Sequence, residues 1–324
     1  AALVWGPTAF GKDLASQNGE LFKRLEEVHG YDKAEMTKLK AVFAGAGYMG
    51  QGNPDAVKRP ATTEQCQAKL KKEGVSYEDA QAEKICGDKY MAPLYDPDKE
   101  KPTDAKVCID KFEFPNIPCD YPVVWVRANE AVEACQAIGK RMCDAHEWEG
   151  ACAGALKPPE YDYSLAKKMS EADAFRAMRA AHNRKKSPSK TWAYGKKFQK
   201  GICGQNSTKS SGCNGGDWKK CGSNHYPVGH FPKCTSRLNV YDIHGNAAEH
   251  MNLPVKPEQR ANHPSQSYGH TEMKGSWFIW DKFQAHADWC RWRAPYWHGS
   301  KVMDKKSHHN YHLGFRCCKD IGGM

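Results

Sequence analysis

The 324-residue chain contains no apolar run near the roughly 20 residues that a membrane-spanning helix needs, so no membrane-spanning helix is expected within it. It lacks the two close cysteine pairs of a zinc ribbon and the Cys-x-x-Cys-His motif of haem attachment. No stretch repeats another, which argues against solenoids and propellers. There is no initial methionine and no basic-plus-apolar leader: the chain opens at Ala1, as a mature protein does after signal-peptide removal, a trimmed fragment being the plain alternative. Hydrophobic residues make up 40% of the chain, enough for a sizeable core, and the length suits two domains or one domain with an extension.

What the chain does have is cysteine. Fourteen are scattered at long, irregular intervals between Cys66 and Cys318. In a reducing cytosol that number would imply metal or redox work. The irregular spacing fits disulfides that close large loops, each worth about 2–4 kcal/mol, and hence export to the periplasm or the cell exterior. The number is even, so all can pair, but spacing leaves the connectivity open.

Net charge is +10, and part of the excess is local. Arg184, Lys185, Lys186, Lys190, Lys196, Lys197 and Lys200 lie together with no acid among them, interleaved with Trp192, Tyr194 and Phe198. The plain reading is a solvated loop. The functional one is a surface for another protein, an anionic glycan or a lipid headgroup. An exported protein would rarely meet nucleic acid, so none is expected.

The first hundred residues differ from the rest. Leu21, Phe22, Leu25 and Val28 recur at helical spacing, as do Met36, Leu39, Val42 and Phe43. A third helix is expected over 77–86 with Ser76 as its N-cap, and 93–102, rich in proline, reads as a linker. Residues 1–104 are therefore expected to form a helical arm and linker, and 105–324 a separate domain. Beyond Val107 helical periodicity is rare, and Gly, Pro, Trp and Cys become common. Helices are expected over 128–138, over 144–151 with Asp144 as N-cap and Glu147 three residues on, and near 170–182. The class is α+β, irregular, with short strands and long loops.

Four stretches, in order, carry a family resemblance. They are Cys108-Ile-Asp-Lys-Phe-Glu-Phe-Pro-Asn116; then Gly139-Lys-Arg with Glu147-Trp-Glu149; then Asp242-Ile-His-Gly-Asn-Ala-Ala-Glu249; then Lys274-Gly-Ser-Trp277 with Arg291-Trp-Arg293 and Leu313-Gly-Phe-Arg-Cys317. Together they resemble the formylglycine-generating enzyme, or sulfatase-modifying factor, family over about 210 residues. The resemblance does not reach the N-terminal arm. It implies a C-type-lectin-like fold with little secondary structure, braced by disulfides and calcium. It also implies a Cys135–Cys317 bridge. Cys152 loses its usual partner, which falls at Ala294, so Cys290 is expected instead. The implied calcium ligands are Asp242, Gly245, Ala247 and Glu249, hard oxygens across a tight turn. Two exposed acids on an ordinary turn are the plain alternative.

The family oxidises a substrate cysteine with two thiolates that hold copper(I), soft ligands on a soft metal. Those places fall at Ile279 and Trp289 here, and the segment between them is longer than the family pattern. The expected function is therefore a non-catalytic exported protein that binds a partner or builds an extracellular assembly. The alternative is a metal-dependent oxidoreductase using copper or iron at a remodelled site. His308, His309 and His312 are its candidate ligands, with His244, His250, His286 and His298 near the family motifs. A solvent loop that happens to hold several histidines is the plain reading of the first three.

Overall fold

The computed structural model describes residues 13–294 and 299–322. It starts with two helices, α1 (Leu14–His29) and α2 (Lys33–Ala46). Asp13 caps the first by accepting the Ser16 N–H, and Asp32 with Glu35 forms a capping box on the second. Helix α3 (Thr63–Glu73) has no clear apolar stripe, but Thr62 and Gln65 cap it reciprocally. Helix α4 is shorter than expected, Ala80–Cys86, because Asp79 rather than Ser76 takes the capping role: its carboxylate accepts the Ala82 N–H at 3.0 Å. Ser76 instead closes a turn onto the Glu78 N–H.

The expected linker is structured. Strand β1 (Met91–Leu94) is buried and pairs antiparallel with β2 (Val107–Asp110), Pro93 facing Cys108. Proline is tolerated there because β1 is the edge strand, where a missing donor leaves no partner unbonded. Helix α5 (Ala128–Ala137), strand β3 (Arg141–Met142) and helix α6 (Ala145–Ala153) follow. Glu147 closes the start of α6 by accepting the Asp144 N–H at 2.7 Å. Helix α7 (Glu171–Lys186), capped by Ser170, is one turn longer than expected. Among the described residues 190–247 there is neither helix nor strand, and disulfides Cys203–Cys234 and Cys213–Cys221 fasten that stretch. Strands β4 (Ala248–Leu253), β5 (His270–Lys274), β6 (Leu313–Gly314) and β7 (Cys317–Asp320) complete the chain.

Two small sheets result. One runs β1-β2-β7-β3, antiparallel throughout. The other runs β5-β4-β6, with β4 and β6 parallel. The mix of helices and few, short strands is the expected irregular α+β class.

The arm is not a separate unit. Leu21 and Leu25 of α1 and Met36, Leu39 and Phe43 of α2 share one apolar cluster with Phe114, Val132 and Phe315 of the body. Disulfides Cys66–Cys119 and Cys86–Cys108 cross the same boundary. Arg24 forks onto Asp120 at 2.7 and 3.2 Å in a nearly buried setting. The packing therefore runs through residue 104 without a break. Leu39→Ala deletes a fully buried side chain from this shared cluster and should cost about 2–5 kcal/mol. In denaturant, helix signal and body tryptophan fluorescence should fall together; an arm that melts first would contradict the shared core.

Candidate functional site

Of the four positions expected to hold calcium, Asp242 and Glu249 lie beside a buried guanidinium. Residues 242–249 make a tight turn, with Asp242, Gly245 and Asn246 all at positive φ, and lead into β4. Gly245 is required there: a Cβ would stand 2.4 Å from the Gln205 side chain and 2.9 Å from the Gly204 backbone. Arg316, in the short link between β6 and β7, is fully buried beside the turn. It forks onto Glu249 at 2.6 and 2.8 Å and donates to the carbonyls of Asp110, Lys111 and Tyr241. Trp148 Nε1 adds a third donor to Glu249 at 3.2 Å.

Two further carboxylates are buried here. Asp242 accepts the Gly229 N–H. Glu113, whose role the sequence did not reveal, accepts the Ala247 N–H at 2.6 Å and the Asn246 amide at 2.8 Å. Its motif position was legible, its approach to the turn was not. Three buried carboxylates thus face one guanidinium. Burial and mutual repulsion push Glu113 well above its usual range, and burial pushes Asp242 up to about 7 despite Arg316. Excess negative charge at this depth demands either protons or a cation. That excess fits a divalent cation at the turn. Glu249 would have to share its oxygens with Arg316, which a carboxylate with its several lone pairs can do.

The second region is the loop 275–290 after β5. Ser276 Oγ donates to Asp288 at 2.9 Å and accepts from the Gly245 N–H at 2.9 Å. Trp192 Nε1 and the Gln205 amide also donate to Asp288, each at 2.8 Å. Against its burial, the neighbouring His244 ring at 3.6 Å, with the Trp192 and Ser276 donors, holds Asp288 below the usual carboxylate range. Trp277, Phe278, Ile279 and Trp280 fill the interior against Trp125 and Tyr311. Ile279 and Trp289 are each 5% exposed. Cys152 and Cys290 are joined, and His244 Nε2 lies 3.3 Å from the first sulfur and 3.8 Å from the second while accepting the Ala193 N–H. Every one of the fourteen cysteines is in a disulfide, among them Cys135–Cys317 and Cys143–Cys318.

The histidine triplet does not converge. His308 and His312 line a cavity of about 240 Å³ with His286, Trp277 and the exposed Phe283. His309 is elsewhere, against Arg127 at 3.2 Å and the Trp125 carbonyl at 3.4 Å, because adjacent side chains in an extended link point apart. Burial lowers His286, His308 and His309 below the ordinary imidazole range, so they are neutral near pH 7. Only two groups among the described residues bring three ligand atoms close enough to share an ion, Cys152–His244–Cys290 and Cys143–Glu147–Cys318. In both, the sulfurs are already joined to each other. His250 bonds the Val126 carbonyl at 3.0 Å, and His298 lies outside the described residues.

The basic stretch divides by residue type. Arg184, Lys190, Lys196, Lys197 and Lys200 are exposed, whereas Lys185 and Lys186 pair with Glu160. The aromatics turn inward: Trp192 onto Asp288, Tyr194 onto His244, Phe198 onto the Trp277 cluster. The three rings stay half-buried, so what faces solvent is mainly the row of cations. No helix of the described residues is long and apolar enough to cross a membrane.

A family model described as "Sulfatase-modifying factor enzyme 1-like domain" matches residues 31–321. The chain belongs to that family. The match begins within the arm, which the sequence resemblance left out, in keeping with the shared core. No curated protein matches the chain. The solved structure of CarF is similar over 72% of this chain and 98% of its own, at 12% identity and a TM-score of 0.37. The assignment rests on the family match alone.

Within the sulfatase-modifying factor fold, Asp242 is the group whose charge state the site leaves most open. Its pKa is raised from about 3.9 unfolded to about 7, so in chelator its contribution to stability is present below about pH 4 and is lost as pH rises through 7. The buried histidines, such as His146 and His182 at about 4, act with opposite sign, losing stability as pH falls below about 6.5. The difference between the native chain and Asp242→Asn separates the two. In chelator the variant should gain relative stability as pH rises from about 4 to 7 and level off above that, by urea denaturation; a pH-independent difference would show that Asp242 is ionised throughout.

Proposed function

We propose that this chain is an exported, disulfide- and calcium-stabilised member of the family that does not generate formylglycine and acts by binding a partner. One observation carries the reading: all fourteen cysteines are paired, and Ile279 and Trp289 stand where the resemblance puts the copper-binding thiols. A disulfide sulfur is not a thiolate and is a poor ligand for copper(I). Seven disulfides also favour an oxidising compartment.

Calcium would be held by Asp242 and Glu249 with the carbonyls of Gly245 and Ala247, offsetting the carboxylate excess around Arg316. The partner surface best supported is the exposed row Arg184, Lys190, Lys196, Lys197 and Lys200, which suits an acidic protein or anionic glycan. A remodelled oxidoreductase is the second reading, and the cavity between His286, His308 and His312 is what favours it.

Three outcomes follow. A sulfatase-type cysteine peptide incubated with the protein and copper(I) should show no loss of about 18 Da, the thiol-to-aldehyde change; its appearance would restore the oxidase. Chelation should lower the melting temperature of the native chain and leave Asp242→Ala unmoved, since a ligand bound only to the folded state stabilises it. An unchanged native melting curve would remove calcium from the account. Metal analysis should find calcium without copper or iron, and one equivalent of either redox metal would favour the second reading.

A further inference from the structure

The whole charge surplus of the chain sits in one stretch. Between Arg184 and Lys233 lie eleven Lys and Arg residues and one acid, Asp217, a surplus equal to the net charge of +10 carried by all 324 residues. From residue 190 that stretch has neither helix nor strand among its described residues, so rings and disulfides fix where its cations stand. Phe198 and Trp218 both pack on the aromatic cluster of Trp277, Phe278, Trp280 and Tyr311. The Cys213–Cys221 bridge closes the turn that carries Trp218, and both cysteines belong to the same cluster. The turn at 277–283 is held against residues 205–207: the Ser207 N–H donates to the Phe278 carbonyl at 2.7 Å and the Asp281 N–H to the Gln205 carbonyl at 2.9 Å.

Three turns therefore present lysines around one aromatic anchor. Lys196, Lys197 and Lys200 flank Phe198, Lys219 and Lys220 follow Trp218, and Lys282 lies just beyond Trp280; all six are exposed. The acids on these turns are Asp217, 3.7 Å from Lys220, and Asp281, which interacts with Lys200. Both are half-buried, and six cations against two carboxylates leave a surplus of four. The Asn206 and Ser207 carbonyls steady Lys282 Nζ at 3.2 and 2.8 Å without cancelling its charge.

The residue type names the partner. All six are lysine, a compact point charge without the planar fork by which arginine grips a single carboxylate or phosphate. Protein interfaces are depleted in lysine and anchored on buried aromatic or arginine side chains, and here Phe198 and Trp218 are already committed to the cluster. A bilayer needs a broad apolar face, and Phe283, 57% exposed next to Lys282, is a single ring. Exposed lysine contacts are individually weak, but they add when the anions are joined in one chain. We propose that this face binds a linear anionic polysaccharide, its charged groups on the lysines and a sugar face on Phe283. Resting on the partner-binding reading above, this site extends the basic row onto two further turns and takes a glycan rather than an acidic protein.

The probe is dextran sulfate, titrated calorimetrically into the whole disulfide-intact protein. Saturable binding is expected, weakening at least about ten-fold between about 50 and 200 mM salt as bound counterions are released. Glucose 6-sulfate, a monomer with the same anion, should not bind measurably at equal sulfate concentration. Lys196→Glu with Lys197→Glu should weaken the polymer at least about ten-fold. Lys71→Glu with Lys72→Glu, the same change in net charge at exposed positions of α3, should weaken it about two-fold at most. Absence of polymer binding, equal weakening by the two pairs, equal binding of the monomer per sulfate, or binding to anionic lipid vesicles without binding to dextran sulfate would each overturn the proposal. Unchanged circular dichroism and melting of both variants keep a folding defect from being read as either result. The cysteine-peptide assay on the same samples keeps the two conclusions apart: aldehyde formation would overturn the non-catalytic reading without touching polymer binding, and loss of polymer binding would leave that reading standing.

Discussion

The buried Arg316 guanidinium is the contact on which the arrangement of this molecule depends. Its donors reach the end of β2, the start of the 242–249 turn and the side chain of Glu249 in β4, so one residue joins both sheets. Its neighbours act in the same place: Phe315 stacks on Phe114 at 4.8 Å, and Cys317 is bonded to Cys135 of α5. Breaking such a pair from one side leaves a buried charge uncompensated, a cost of about 3–5 kcal/mol. A protein with this little regular structure needs such nodes, because its loops cannot satisfy their backbone groups through ladders.

Under the proposed reading, the family scaffold and the family chemistry separate around that node. The turn with Asp242, Gly245 and Glu249 is kept, with Glu113 and Arg316 beside it. The loop where the resemblance puts the oxidation site is filled by aromatic side chains, and Asp288 and Ser276 fasten it to the turn and to the 191–195 segment. A fold that supports a reaction does not by itself supply it. Where the resemblance puts the copper-binding thiols this chain has Ile279 and Trp289, neither of which can coordinate a metal.

Much of this was legible in the residues. The helical stripes at Leu21–Leu25 and Met36–Phe43, the capped start at Asp144, and the ordered motifs of the body all signal locally, and the family match now rests on 31–321. Long-range facts were not legible. Pro93 reads as a linker until β2 is seen beside it, and α3 hides because its buried side chains are only Cys66 and Leu70. Glu113 meets Asn246 across 133 residues, and no spacing rule reports that. His308 and His309 look like one cluster in sequence and part in space, since neighbours in an extended segment face opposite ways. The shared core of arm and body escaped for a similar reason: the apolar stripes announce that α1 and α2 bury a face, not what covers it.

The central claim is that this member of the family has no thiol to offer a metal. The most direct measurement is alkylation of the native protein, denatured but unreduced, followed by intact-mass and peptide analysis. No cysteine should take up label, and Cys152 should be recovered linked to Cys290. Label at Cys290, with Cys152 free as well, would mean a thiol beside the family's second position and an imidazole next to it, and would contradict the account.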